Sequence, residues 1–124
     1  MDWMEIIGAH VMWKQRLTAF LAGESTETLD PDAMQRDDRC ALGQWIHGAG
    51  AAMSQLPRYE EVRTLHAQFH QYAAEVARLH INGQTAEAEV LLQGDYSRLS
   101  ERLKHRIIGL SQQVNAYSSG TPPF

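Results

Sequence analysis

Two histidines four residues apart, His66 and His70, lie within a strongly helical pattern. Four residues are close to one helical turn, so both imidazole rings lie on the same face of a helix. Such a pair can supply two nitrogen ligands to a metal ion, although this spacing is also common in helices that bind none. The prediction of a metal site therefore depends on which other side chains can reach the pair.

Two further residues carry side chains that bind zinc, and they lie in separate helical segments. His10 lies on the apolar stripe of the first segment, where a buried histidine without a metal is the ordinary alternative. Cys40 is the only cysteine, so an internal disulfide bond is excluded. It lies near the start of a short helix, where unpaired N–H groups favour the thiolate, although a free cysteine can equally be a small buried apolar side chain.

The elements that position these residues are all predicted to be helices. Apolar side chains recur with helical spacing in four segments, namely residues 2–21, 39–50, 58–81 and 85–117. Gly94 and Asp95 are expected to bend or break the last segment. In the absence of any strand pattern, the predicted fold is an all-α four-helix bundle with an additional short helix that carries Cys40.

The connecting segments contain mainly acidic, small and turn-forming residues. Residues 23–38 are predicted to form a solvated acidic loop, with Asp37 or Asp38 as the cap of the short helix, and residues 51–57 a connector. Residues 1–117 are predicted to be one domain, because the chain is too short for two ordinary ones. Residues 118–124 carry no folding signal and are predicted to be a disordered tail.

Charge and hydropathy exclude several classes of partner. The net charge of -4 and the pI near 5.8 argue against a nucleic-acid partner and against an anionic membrane surface, since both require a concentrated basic face. No apolar run is long enough to span a membrane, and the acidic start of the chain is unlike a secretory signal. The protein is therefore expected to be cytoplasmic.

Inward-facing side chains from separate helices of a bundle converge, so four ligands can meet at one point. Three imidazoles and one thiolate form a complete tetrahedral shell for Zn²⁺, which gives the predicted site as His10, Cys40, His66 and His70. Four protein ligands leave no open position for a substrate, and the HAQFH segment lacks the glutamate of HExxH peptidases. An enzyme with catalytic residues is therefore not expected.

The order of these motifs resembles that of a known family. A helical histidine, the segment R-C-x-L-G-x-W-I from Arg39 to Ile46 and the segment H-x-x-F-H from His66 to His70 are similar to those of the chemoreceptor zinc-binding (CZB) domain family. The resemblance implies zinc bound by the same four residues. It also implies a sensor of zinc or of oxidants such as hypochlorous acid, signalling with chemotaxis receptors or diguanylate cyclases, and a homodimer.

The chain departs from the usual architecture of that family because no coiled-coil signalling segment or cyclase domain follows residue 117. The chain is therefore expected to be either a stand-alone protein that signals to a partner protein in trans, which its first and last residues favour, or a fragment of a longer protein. If the four residues bind zinc, the alternative to a sensor is a purely structural zinc site, which predicts unfolding on chelation.

Two other functions are compatible with a helical bundle. A hemerythrin-type di-iron bundle would need about five or more histidines, together with bridging carboxylates, facing the bundle interior. Besides the four proposed ligands the chain offers only His47, His80 and His105, and these lack suitable partners in the sequence. A metal-free helical interaction module would bind nothing at the histidines.

Overall fold

The structure is a computed structural model that describes residues 1–118, and these residues contain helices and no strand. The helices are α1 Trp3–Leu21, α2 Pro31–Met34, α3 Ala41–His47, α4 Pro57–Ile81, α5 Thr85–Leu91 and α6 Ser97–Ser118. A 3-10 helix, Ala49–Met53, follows α3, and a π turn, Leu92–Tyr96, joins α5 to α6. The prediction of an all-α helical bundle is confirmed. The predicted tail lies outside the described residues, apart from the residue that ends α6.

Local sequence signals explain where the long helices begin and end. The Asp2 carboxylate accepts a hydrogen bond from the Glu5 N–H at 3.1 Å and so caps α1. Gly23, with a φ of 73°, turns the chain after α1. Pro57 is the first residue of α4, a position at which a backbone N–H has no acceptor within the helix, so the lack of this group in proline costs no hydrogen bond. Gly83, with a φ of 82°, follows the end of that helix.

The three long helices pack against one another around one apolar core. Between α1 and α4 the chain forms α2, α3 and the 3-10 helix instead of a further long helix, and α2 packs on α4. The largest fully buried apolar side chains come from α1, α3, α4, the π turn and α6, and they include Leu17, Leu42, Phe69, Tyr96 and Leu103. No described helix is long and apolar enough to cross a membrane.

The acidic segment after α1 is more ordered than the sequence predicted. It contains α2, whose N-cap is the Asp30 carboxylate, and Leu29, which is buried in the main core. The composition predicted a solvated loop because helices are recognised from the periodic recurrence of apolar residues. Neither an isolated buried side chain such as Leu29 nor a helix of four residues produces such a period. The prediction of a solvated loop is therefore wrong for this part of the segment.

The start of α3 also differs from the prediction. Cys40 is the N-cap residue, and the Gly43 N–H points at its Sγ at 3.4 Å, so neither Asp37 nor Asp38 caps the helix. The predicted connector likewise includes part of the 3-10 helix. The expected interruption at Gly94 and Asp95 is confirmed, because both residues lie within the π turn.

Candidate metal centre

Four side chains from three parts of the chain meet in the interior of the bundle. His10 comes from α1, Cys40 from the N-cap of α3, and His66 and His70 from successive turns of α4. One ligand atom from each residue lies within 4.8 Å of one ligand atom from every other. The structure thus brings together all four residues that the sequence singled out.

The four residues differ in their access to solvent. His66 is fully buried, and His10 and His70 are 8% and 7% exposed. Cys40 is half-buried and is therefore the least shielded residue of the four.

Backbone carbonyls fix the orientation of two of the rings. His10 Nδ1 lies 2.8 Å from the Ile6 carbonyl oxygen, and His70 Nδ1 lies 2.9 Å from the Met34 carbonyl oxygen. A carbonyl oxygen can only accept, so Nδ1 of each ring donates and carries the proton. Each neutral ring therefore keeps a lone pair on Nε2, which is the arrangement that holds a metal-binding histidine in one tautomer.

His66 lacks a satisfactory set of hydrogen bonds. Its Nε2 lies 3.0 Å from His70 Nε2 and 3.1 Å from Cys40 Sγ, whereas its buried Nδ1 has no partner among the described residues. A proton on Nε2 leaves Nδ1 as an unpaired acceptor, and a proton on Nδ1 leaves two lone pairs facing each other. A cation held between the Nε2 atoms would remove that repulsion, so this arrangement of the rings suits a bound metal ion.

Three of the spacings between ligand atoms lie within about 0.4 Å of those in a tetrahedral zinc shell. Zinc bonds of about 2.3 Å to sulfur and about 2.0 Å to nitrogen, at tetrahedral angles, place sulfur about 3.5 Å and nitrogen about 3.3 Å from a neighbouring nitrogen. In the structure, Cys40 Sγ lies 3.1 Å from His66 Nε2 and 3.6 Å from His70 Nε2, and the two Nε2 atoms are 3.0 Å apart. Three histidines and one cysteine are a donor set suited to zinc.

Burial keeps the rings neutral. It lowers the pKa of His10 and of His70, and together with the neighbouring His70 and His10 rings it lowers the pKa of His66 to about 2. Neutral rings are the form that binds metal, so these histidines need not release protons at neutral pH before binding.

Burial has the opposite consequence for Cys40, because it raises the pKa of the thiol. Backbone N–H groups, with that of Gly43 foremost, lower the pKa and offset only part of this effect. The predicted preference for thiolate at the helix N-terminus is therefore outweighed in the protein without metal. A bound cation would reverse the balance, because a coordinating thiol is deprotonated.

Two supporting features of the centre were missed in the sequence. A Cβ atom on Gly43 would lie 1.7 Å from the Asp37 carbonyl oxygen, so glycine is needed for the chain before Cys40 to pass close to α3. The glycine of the C-x-L-G segment was a signal for this close approach. The second feature is the Met34 carbonyl that accepts from His70, and the sequence could not single it out, because every residue has a backbone carbonyl.

The other described histidines lie outside the cluster. His47 pairs with Asp37 at 3.5 Å, His80 Nδ1 lies 2.9 Å from the Thr85 hydroxyl, and His105 lies 3.8 Å from Glu101. Within residues 1–118 the cluster contains no carboxylate, which a hemerythrin-type di-iron site would require.

Comparison with protein families bears directly on this geometry. The family model described as the chemoreceptor zinc-binding domain matches residues 10–77, which begin at His10 and include the whole cluster. The chain belongs to the chemoreceptor zinc-binding domain family. A search of curated proteins and a search of solved structures each found no match. CZB membership thus rests on the segment that contains the four clustered residues, and it confirms the resemblance seen in the sequence.

Proposed function

We propose that residues 1–117 form a sensory zinc-binding domain in which His10, Cys40, His66 and His70 hold one Zn²⁺. The observation that carries the proposal is the convergence of these side chains, with the His10 and His70 rings oriented by backbone carbonyls. Membership of the CZB family supports zinc as the ion. When bound, zinc would neutralise the facing lone pairs and keep Cys40 as a thiolate.

A regulatory role accounts for this donor set better than catalysis does. Four protein ligands complete a tetrahedral shell, so no position remains for a substrate or an activated water. We therefore propose a sensor and not an enzyme.

Cys40 is the residue through which an oxidant would act. Cys40 is half-buried, whereas the three histidines are buried. Hypochlorous acid would transfer its oxygen to the Cys40 thiolate, so that sulfur loses two electrons, chlorine gains them, and sulfenic acid and chloride result. The added oxygen would occupy space between Cys40, His66 and the first turn of α3, where Sγ also faces the Gly43 N–H.

The output of the sensor would lie in another protein. The family description names chemoreceptors, which supports a signalling partner of the chemoreceptor type, or of the diguanylate cyclase type, bound in trans. A homodimer in the cytoplasm is part of the same proposal.

Metal analysis of the purified protein tests the central claim. We expect about one zinc per chain in the wild type and loss of zinc in Cys40→Ala and His70→Ala. His105→Ala is the matched control, because this exposed histidine lies outside the cluster and should leave zinc binding unchanged. A wild type without stoichiometric zinc would contradict the proposal, and stoichiometric iron in the same samples would favour the di-iron alternative.

Circular dichroism before and after chelation separates a sensor from a structural zinc site. A sensor should keep its helices when the metal is removed, because the apolar core among the long helices is built mainly from side chains outside the cluster. Global unfolding on chelation would instead indicate a structural site.

A further inference from the structure

The hydrogen bond that orients His70 is supplied by α2, a segment that cannot be stable by itself. α2 has four residues, and an isolated helix of this length does not form in water. Its position on α4 must therefore be fixed by tertiary contacts. The Met34 carbonyl oxygen that accepts from His70 Nδ1 lies in the last residue of α2, so any movement of this segment moves the acceptor.

Arg78, two turns after His70 on α4, contacts α2 on both sides of Met34. One of its terminal nitrogens lies 2.9 Å from the Asp32 carboxylate and 2.7 Å from the Gln35 side-chain oxygen. Asp32 precedes Met34 by two residues and Gln35 follows it directly. The guanidinium group thus holds the two ends of the segment that presents the carbonyl to His70.

We propose that Arg78 is a positioning residue for the metal centre, because it holds α2 on α4 and so keeps the Met34 carbonyl in place for His70. The inference rests on the proposed zinc site for its functional consequence. The local role, ordering α2 over His70, applies to the protein with or without zinc.

Apolar packing is the competing explanation for the position of α2. Leu29 is buried and Met34 packs against the core, so the segment does not depend on Arg78 alone. Asp32 is also largely exposed, and an exposed ion pair contributes little by itself. Because Arg78 makes two contacts that fix the register of a single turn, we expect its loss to speed zinc release about threefold to tenfold.

Zinc release to a chelator is the first measurement, with Arg63→Ala as the matched control for Arg78→Ala. Arg63 lies on the same helix and pairs with Glu60, three residues away, without contacting α2. Arg78→Ala should release zinc faster than the wild type, and Arg63→Ala should match the wild type. The double variant Asp32→Ala, Gln35→Ala should reproduce the effect of Arg78→Ala, because it removes both acceptors of the guanidinium.

A second measurement on the metal-free protein does not depend on zinc binding. Nuclear magnetic resonance of the His70 Nδ1 proton and hydrogen exchange of the Met34 and Gln35 amides report the position of α2. In Arg78→Ala all three protons should exchange faster, while the α4 amides and the helix content stay unchanged. If the wild type binds no zinc, the proposed function fails, and this measurement still tests the clamp. Equal exchange and equal zinc release in Arg78→Ala and Arg63→Ala would overturn the proposal, and so would global loss of helicity.

Discussion

Substitution of Gly43 by alanine tests whether the close packing before Cys40 sets the metal geometry. The new Cβ would lie 1.7 Å from the Asp37 carbonyl oxygen, and real Cβ contacts stay above 3.0 Å, so backbone must move by about 1.3 Å. The atoms in contact are backbone, which cannot rotate away as a flexible side chain can. Zinc bond lengths tolerate only about 0.2 Å, so a shift of this size at the residues flanking Cys40 would break or distort the bond to Sγ.

The expected result for Gly43→Ala is a loss of zinc affinity of at least tenfold, with a loss in free energy of unfolding of about 1–3 kcal/mol. Competition with a zinc chelator measures the first quantity, and urea unfolding of the metal-free protein measures the second. Gly8→Ala is the matched control. A Cβ at Gly8 meets nothing within 4 Å, and alanine favours a helix by about 1 kcal/mol, so zinc affinity should stay unchanged and stability should rise. A Gly43→Ala variant with wild-type zinc affinity and stability would refute the reasoning.

Three further predictions concern acid, the core and the π turn. Unfolding of the metal-free protein should need less urea as the pH falls below about 6.5. In that range the histidines of the unfolded chain bind protons, whereas the lowered pKa values of the buried histidines keep them neutral in the folded protein. The slope approaches about 1.4 kcal/mol per pH unit for each such histidine, and an unchanged midpoint between pH 7 and 5 would contradict it. Tyr96→Phe should leave the urea midpoint equal or higher, because the buried hydroxyl has no hydrogen-bond partner among the described residues, and a clear loss of stability would reveal one. Deletion of Gly94 should convert the π turn to α-helix and keep the circular dichroism signal and zinc content, since a π turn accommodates one extra residue; unfolding would contradict this.

Helical periodicity and ligand chemistry explain what the sequence could predict. The long helices show their apolar stripes over many turns, and His66 and His70 are tied together by the helical repeat alone. His10 and Cys40 could be assigned to the same site because three imidazole rings and one thiolate complete the preferred ligand shell of zinc, and because of the resemblance to the CZB family.

The supporting features depend on tertiary contacts that leave little pattern in the chain. A single turn such as α2 has no period, and the buried Leu29 beside it looked like an isolated apolar residue in an acidic loop. The Met34 carbonyl is chemically the same as every other carbonyl, so only its position beside His70 gives it a role. Val11, by contrast, has the helical spacing of the apolar stripe of α1 but is 45% exposed, because the stripe is wider than the buried face.

The two roles of Cys40 restrict where a change at the sulfur can act. Sγ faces His66 and His70 in the cluster, and it also faces the Gly43 N–H at the start of α3. The helix α3 is fixed independently at both ends, because Leu42 in its first turn and Ile46 in its last turn are buried, and the Tyr59 hydroxyl donates to the Ile46 carbonyl at 2.5 Å. Loss of the sulfur contacts would therefore loosen the N-cap of α3 and leave the helix itself on the core. These contacts confine the response to the segment around Cys40.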